Sequence, residues 1–185
     1  MAYATPARVI QEFGLTEVTQ LLADEEQLLT GQLLLDALAV QGTGFWTGEP
    51  SEAERSAASA AAAKLVRKLE TTSNMMDGYL RSAVQLPLAA QDANAGTLEE
   101  CCCALVRCGL ADDTDNATER MDKCCDTWRT WLKDVGKGVV QLVGSTGEPV
   151  ATNAKSGART GQAATGFDWG RHAGWTQGNS FGMWP

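Results

Sequence analysis

Histidine is almost absent from this 185-residue sequence: the single copy, His172, lies in a glycine-rich C-terminal stretch. Nucleophilic catalysis through Ser or Cys normally needs a neighbouring base, most often histidine, and residues 1–171 contain none. Basic residues are also scarce. Fifteen Lys and Arg stand against 23 Asp and Glu, a formal net charge of -8. That balance argues against a duplex-binding surface, because phosphate binding requires cations that displace counterions. No apolar run reaches the roughly 18 residues of a membrane-spanning helix, so no membrane role is expected. The opening Met1-Ala2-Tyr3-Ala4-Thr5-Pro6 has no basic segment followed by an apolar one. It does not read as a signal peptide, and the chain is expected to stay where it is made.

Site motifs are missing as well. No C-x-x-C knuckle suggests zinc. Gly136-Lys137-Gly138 is too short for a phosphate loop and follows a helix instead of a strand. The oxygen-rich run Asp112-Asp113-Thr114-Asp115-Asn116 lacks the glycine and terminal glutamate of a calcium loop and reads as a solvated turn. Glu99-Glu100 and Asp112-Asp113 fall at caps and turns, where acids stabilise helix ends. The sequence therefore predicts no enzyme, no metal and no cofactor.

Cysteine is plentiful, with six copies at 101, 102, 103, 108, 124 and 125. Adjacent cysteines do not readily bond to each other, and without an export signal the thiols are expected to be reduced. They read as small apolar residues on buried helix faces.

The local pattern is mostly helical. Thr5-Pro6 is a cap followed by a proline at the first helical position, and it predicts a helix to about Phe13, stopped by Gly14. Thr16 opens a second helix carrying Val18, Leu21 and Leu22. For 28–50 two readings stand: a short helix through Leu33, Leu34, Leu35, Leu38 and Val40 ended by Gly42-Thr43-Gly44, or a hairpin-like excursion. Phe45 and Trp46 follow in a loop and read as a packing plug.

Ser51 and Glu54 form a capping box for a helix reaching about Val84. Its stripe runs through Ala58, Ala62, Leu65, Leu69, Thr72, Met76, Tyr79 and Ala83, with Leu80 also in the expected core. A break is expected near Thr71-Thr72-Ser73-Asn74, and Leu86-Pro87-Leu88 ends the element. Gly96-Thr97, with Thr97 and Glu100 as a second capping box, starts a helix bearing Leu98, Cys101, Cys102, Leu105 and Cys108, ended by Gly109. A last helix spans about Ala117 to Val135, its apolar face made of Met121, Cys124, Cys125, Trp128, Trp131 and Leu132. Val139-Val140-Gln141-Leu142-Val143 reads as a short strand. The class is mainly α: a compact helical bundle with a short β-strand or hairpin and a long, extended Gly-rich C-terminal arm.

From Gly144 the composition changes. Nine glycines occur in the last 42 residues, with Phe167, Trp169, Trp175, Phe181 and Trp184 among them. Such a segment cannot bury enough surface to fold alone, yet tryptophans are frequent interface anchors. The expected organisation is a helical body over 1–143 and a docking arm over 144–185. The arm carries three basic and two acidic residues, so the body holds a net charge of -9.

Several segments, in order, resemble the Mu-like tailed-phage family of head-completion, or head-to-tail adaptor, proteins. They are Tyr3-Ala4-Thr5-Pro6; Phe13-Gly14 with Leu21-Leu22; Asp77-Gly78-Tyr79-Leu80; Leu86-Pro87-Leu88; the Cys-rich helix through Arg107; and Trp131-Leu132 followed by Gly136-Lys137-Gly138 and Leu142. Val84 and Cys108 stand where aromatics are common in that family. The resemblance covers roughly 1–143. It implies a virion protein, assembled in the host cytoplasm, that forms a homo-oligomeric ring of twelve copies. The ring would dock on the portal protein, extend the DNA channel without binding DNA specifically, and support a stopper or tail-completion protein. Two alternatives predict different behaviour. A small soluble regulatory or binding protein whose aromatic tail captures a partner would be a monomer or dimer. A cysteine-based metalloprotein would carry stoichiometric zinc.

Overall fold

The computed structural model describes residues 2–23, 26–40, 45–88, 95–113, 117–143 and 150. Six helices follow one another: α1 (Pro6–Phe13), α2 (Leu15–Leu22), α3 (Gly31–Val40), α4 (Glu52–Leu80), α5 (Ala95–Asp113) and α6 (Glu119–Gly136). The protein is mainly helical, as its sequence implies.

The local start signals operate as their chemistry requires. Thr5 accepts from the Arg8 amide and Pro6 opens α1, while Gly14, at φ 85°, provides the positive φ that ends it. α2 begins at Leu15, directly after that glycine, so Thr16 lies inside it. Ser51 and Glu54 form both bonds of the capping box at the head of α4. Thr118 caps α6 by accepting from the Met121 amide.

α4 is the longest element, 29 residues or about 43 Å. It packs against all five other helices. Its buried positions are Ala58, Ala61, Ala62, Leu65, Leu69, Thr72, Ser73, Met76 and Leu80. Alanines at its N-terminal half let neighbours approach closely; Leu65, Met76 and Leu80 fill the core further on. α5 is enclosed on nearly every side, with Leu98, Cys101, Cys102, Cys103, Leu105, Val106, Cys108, Leu110 and Ala111 all buried. Its middle, Cys101 to Val106, is apolar and buried on every face, as suits the inside of a bundle, and α1, α2, α4 and α6 cover the helix.

Several sequence expectations need correction. α4 does not break at 71–74. Thr72 and Ser73 are buried, Thr71 Oγ1 donates to Arg67 O at 2.9 Å, and Ser73 Oγ accepts from Tyr3 N at 3.1 Å. Tertiary contacts outweigh intrinsic propensities worth only a few tenths of a kcal/mol per residue. α5 starts at Ala95 and runs through Gly109 to Asp113, so Thr97 is not its cap and Gly109 is not its end. A Cβ on Gly109 would lie 3.1 Å from Lys68 Cδ, so the glycine leaves room for the Lys68 side chain to lie over α5. Cys124 is exposed and not part of the apolar face of α6. The strand expected over 139–143 is not formed: among the described residues there is no strand, only single bridge positions at Val84 and Val143. Finally, the thiols are not all reduced, since Cys108 and Cys125 form a disulfide.

The 28–50 ambiguity resolves in favour of the helix, α3. Gly42, Thr43 and Gly44 lie outside the described residues, as does the Gly-rich arm apart from Val150.

Candidate interaction surface

The segments that carry the family resemblance are far apart in sequence and meet in space. Tyr3 is laid across α4. Its hydroxyl donates to Asp77 Oδ1 at 2.5 Å, and its amide donates to Ser73 Oγ, which lies 3.8 Å from Cys102 Sγ on α5. Burial, reinforced by the Asp77 carboxylate, pushes the Tyr3 phenol well above its ordinary range. The hydroxyl therefore stays protonated and keeps donating. From the next turn, Arg8 Nε reaches Glu99 at 3.2 Å and its Nη2 reaches Glu12 at 3.0 Å. The N-terminal segment thus ties α1, α4 and α5 together.

A second junction joins the ends of α4 and α6. The Ser82 hydroxyl is shared between Gly136 O at 2.8 Å and Tyr79 O at 3.0 Å. A Cβ on Gly136 would fall 2.9 Å from Tyr79 O, which is backbone and cannot swing aside. Gly136→Ala should therefore push the two helix ends apart and lower stability by about 1–3 kcal/mol, measured by urea unfolding. A neutral result would mean the helix ends separate without cost.

Arg107 is the third meeting point. It pairs with Glu17 on α2, and its guanidinium carbon lies 4.8 Å from the centroid of the Phe13 ring. Beside it a groove of about 520 Å³ opens between α2, α5 and the head of α6. Leu21 and Met121 form its apolar lining; Glu17, Gln20, Arg107 and Thr118 form its polar lining.

Among the described residues no group of three or more His, Cys, Asp or Glu is placed to hold a metal ion. What the body presents instead is surface. Phe45 is 83% exposed and Val139 72% exposed. Phe45 is not a plug, whereas its neighbour Trp46 does pack against the core. The loop holding this pair is pinned by Asp36, whose Oδ2 accepts from Thr47 N at 2.7 Å. Its Oδ1 accepts from Gln32 Nε2 at 2.8 Å and from Thr47 Oγ1 at 3.1 Å. The Thr47 amide above all holds the Asp36 carboxyl below its usual range, against the opposing effect of burial.

A depressed folded pKa means this anchor is complete above the unfolded value of about 4 and is lost as pH falls through the folded one. The Thr47 amide proton should shift upfield on acidification below about pH 4. In Asp36→Asn that titration should vanish; an unchanged titration would assign it to another group.

Leu65, Leu69, Met76, Leu80, Cys101, Cys102, Leu105 and Leu132 are all buried, while Tyr79, Trp128 and Trp131 are half-buried against the core. Trp128 and Trp131 meet edge to face, with ring centroids 5.6 Å apart. Phe167, Trp169, Trp175, Phe181 and Trp184 lie outside the described residues. Sequence reasoning missed Arg107–Glu17, Tyr3–Asp77 and the Asp36 anchor. Only the last, with partners 4 and 11 residues away, is near enough in sequence to leave a local trace.

By sequence, the molecule falls in the class of phage structural or morphogenetic proteins. It belongs to the bacteriophage Mu Gp36 family, whose model matches residues 3–160. Comparison with curated proteins gives no match.

Proposed function

We propose that this chain is a non-enzymatic head-to-tail adaptor: one subunit of a ring that docks on the capsid portal, extends the DNA channel and carries the stopper or tail-completion protein. The observation that supports it most is the family match over 3–160, which spans the whole helical body. Tyr3, Asp77, Tyr79 and Gly136, which lie in the segments that carry the resemblance, take part in the contacts that hold α1, α4, α5 and α6 together. A ring follows from a heterologous contact that closes, in which one face of each subunit meets a different face of the next. Exposed apolar groups such as Phe45 and Val139 suit such contacts.

The acidic body supports passage of DNA. Carboxylates facing a channel repel phosphates, so the duplex slides without sticking. The 144–185 segment, with its five aromatic residues, acts as the arm that anchors each subunit to the portal or to a neighbour.

A genetic experiment tests the role. Phage with an early stop codon in this reading frame should fill heads but yield no tailed particles, and supplying the protein in trans should restore them. Normal tailed particles without the protein would overturn the adaptor reading.

A further inference from the structure

The structure sorts the six cysteines into three chemical kinds. Cys101, Cys102 and Cys103 are fully buried on α5, and burial pushes the Cys101 and Cys103 thiols up to about 12. They stay protonated and unreactive, because the thiolate is the nucleophile. Cys124 is exposed and free. Cys108 and Cys125, 17 residues apart, join α5 to α6 with their Cα atoms 6.3 Å apart, inside the range a disulfide spans.

A disulfide is at odds with synthesis in a reducing compartment, where such bonds are rare and often redox-linked. We propose that Cys108 and Cys125 are an oxidation site, dithiol while the protein is made and closed by a low-molecular-weight disulfide once it leaves the host cytoplasm. The placement in released particles rests on the adaptor reading; the pair itself does not.

The exchange balances without a further reagent. One protein thiolate attacks the small disulfide and expels a small thiolate. The second protein thiolate attacks the mixed disulfide and expels the other. Two protein thiols lose two electrons and two protons, and two small thiols are formed. Both protein sulfurs are buried, so the exchange needs the head of α6 to lift. That half of the helix is held to the core by few buried side chains, Met121 and Cys125, with Leu132 and Val135 holding the other half. A weakly held segment of this kind opens locally at lower cost than the whole fold. Once closed, the bond ties that half down and is itself shielded from reductant.

The test uses the purified full-length protein, reduced and then equilibrated with reduced and oxidised glutathione, alkylated and peptide-mapped. The expected result is one crosslink, Cys108 to Cys125, with Cys101–Cys103 alkylated only after unfolding. Closing a loop of this length should raise Tm by on the order of 10 °C. The double variant Cys108→Ala/Cys125→Ala should lose the redox-dependent shift, and Cys124→Ala should keep it. A crosslink through Cys124, no crosslink, or a crosslink that leaves Tm unchanged would overturn the proposal. Thiol trapping adds the compartment: Cys108 should be alkylated in infected cells and protected in released particles, and protection already in cells would contradict it. Absence of the chain from particles would count against the ring reading alone, since the glutathione equilibrium decides the pair independently.

Discussion

Removing residues 151–185 should abolish binding to the portal and leave the helical body folded. The two halves of this expectation rest on different evidence. The body should survive because every described buried core residue lies at or before Leu142, and the last described contact, Val150 N to Leu142 O at 2.8 Å, is retained. Unfolding in urea should therefore match that of the full chain within about 0.5 kcal/mol. Binding should fail because the deleted segment holds five of the aromatic residues, including three of the six tryptophans. Buried aromatic anchors are each worth about 2 kcal/mol or more at an interface. Losing two of them costs roughly 4 kcal/mol, close to a thousandfold in affinity. The triple variant Trp169→Ala, Trp175→Ala, Trp184→Ala separates anchoring from mere length and should bind as poorly as the truncation. A truncated protein that binds portals normally would remove the arm from the account.

Leu65→Ala should be the most destabilising single truncation in α4. Leu65 is fully buried on the helix that touches every other one. Deleting its outer carbons loses transfer free energy and leaves a cavity, together about 3 kcal/mol within the 2–5 range of such changes. For a chain of this size that is a Tm decrease of roughly 10 °C. A native domain has only about 5–15 kcal/mol to lose, so the variant should also accumulate poorly. A loss below about 1 kcal/mol would place Leu65 in a site that collapses freely and would argue against the packing described.

Much of this fold is legible in the sequence because its signals are local. Thr5-Pro6, Ser51 with Glu54, and the Ala-rich stripe of α4 each act within one or two helical turns. The misreadings share the opposite property. Thr71-Thr72-Ser73-Asn74 are weak helix formers, but Tyr3 bonds to Ser73 from 70 residues away. Gly109 looks like a terminator, yet it is where α5 passes close to Lys68. The run Val139–Val143 has the β-branched residues of a strand, but among the described residues its pairing stops at single bridge positions, too little for a strand to form.

The interaction surface was less legible than the fold. Arg107 entered the resemblance as one residue of a cysteine-rich helix, and nothing in its neighbourhood pointed to Glu17 or Phe13. The Cys108–Cys125 bond was hidden for a different reason. Compartment chemistry argued for free thiols, while the packing of α5 against α6 brings those two positions together.

Ring formation on a portal is what the proposed function stands or falls on. The most direct measurement is electron microscopy of the purified full-length protein mixed with isolated portals. The expected product is a closed ring of repeated subunits coaxial with the portal, with density for the 151–185 segment against the portal or a neighbouring subunit. Portals that remain bare at saturating protein, while the chain stays monomeric and folded beside them, would contradict it.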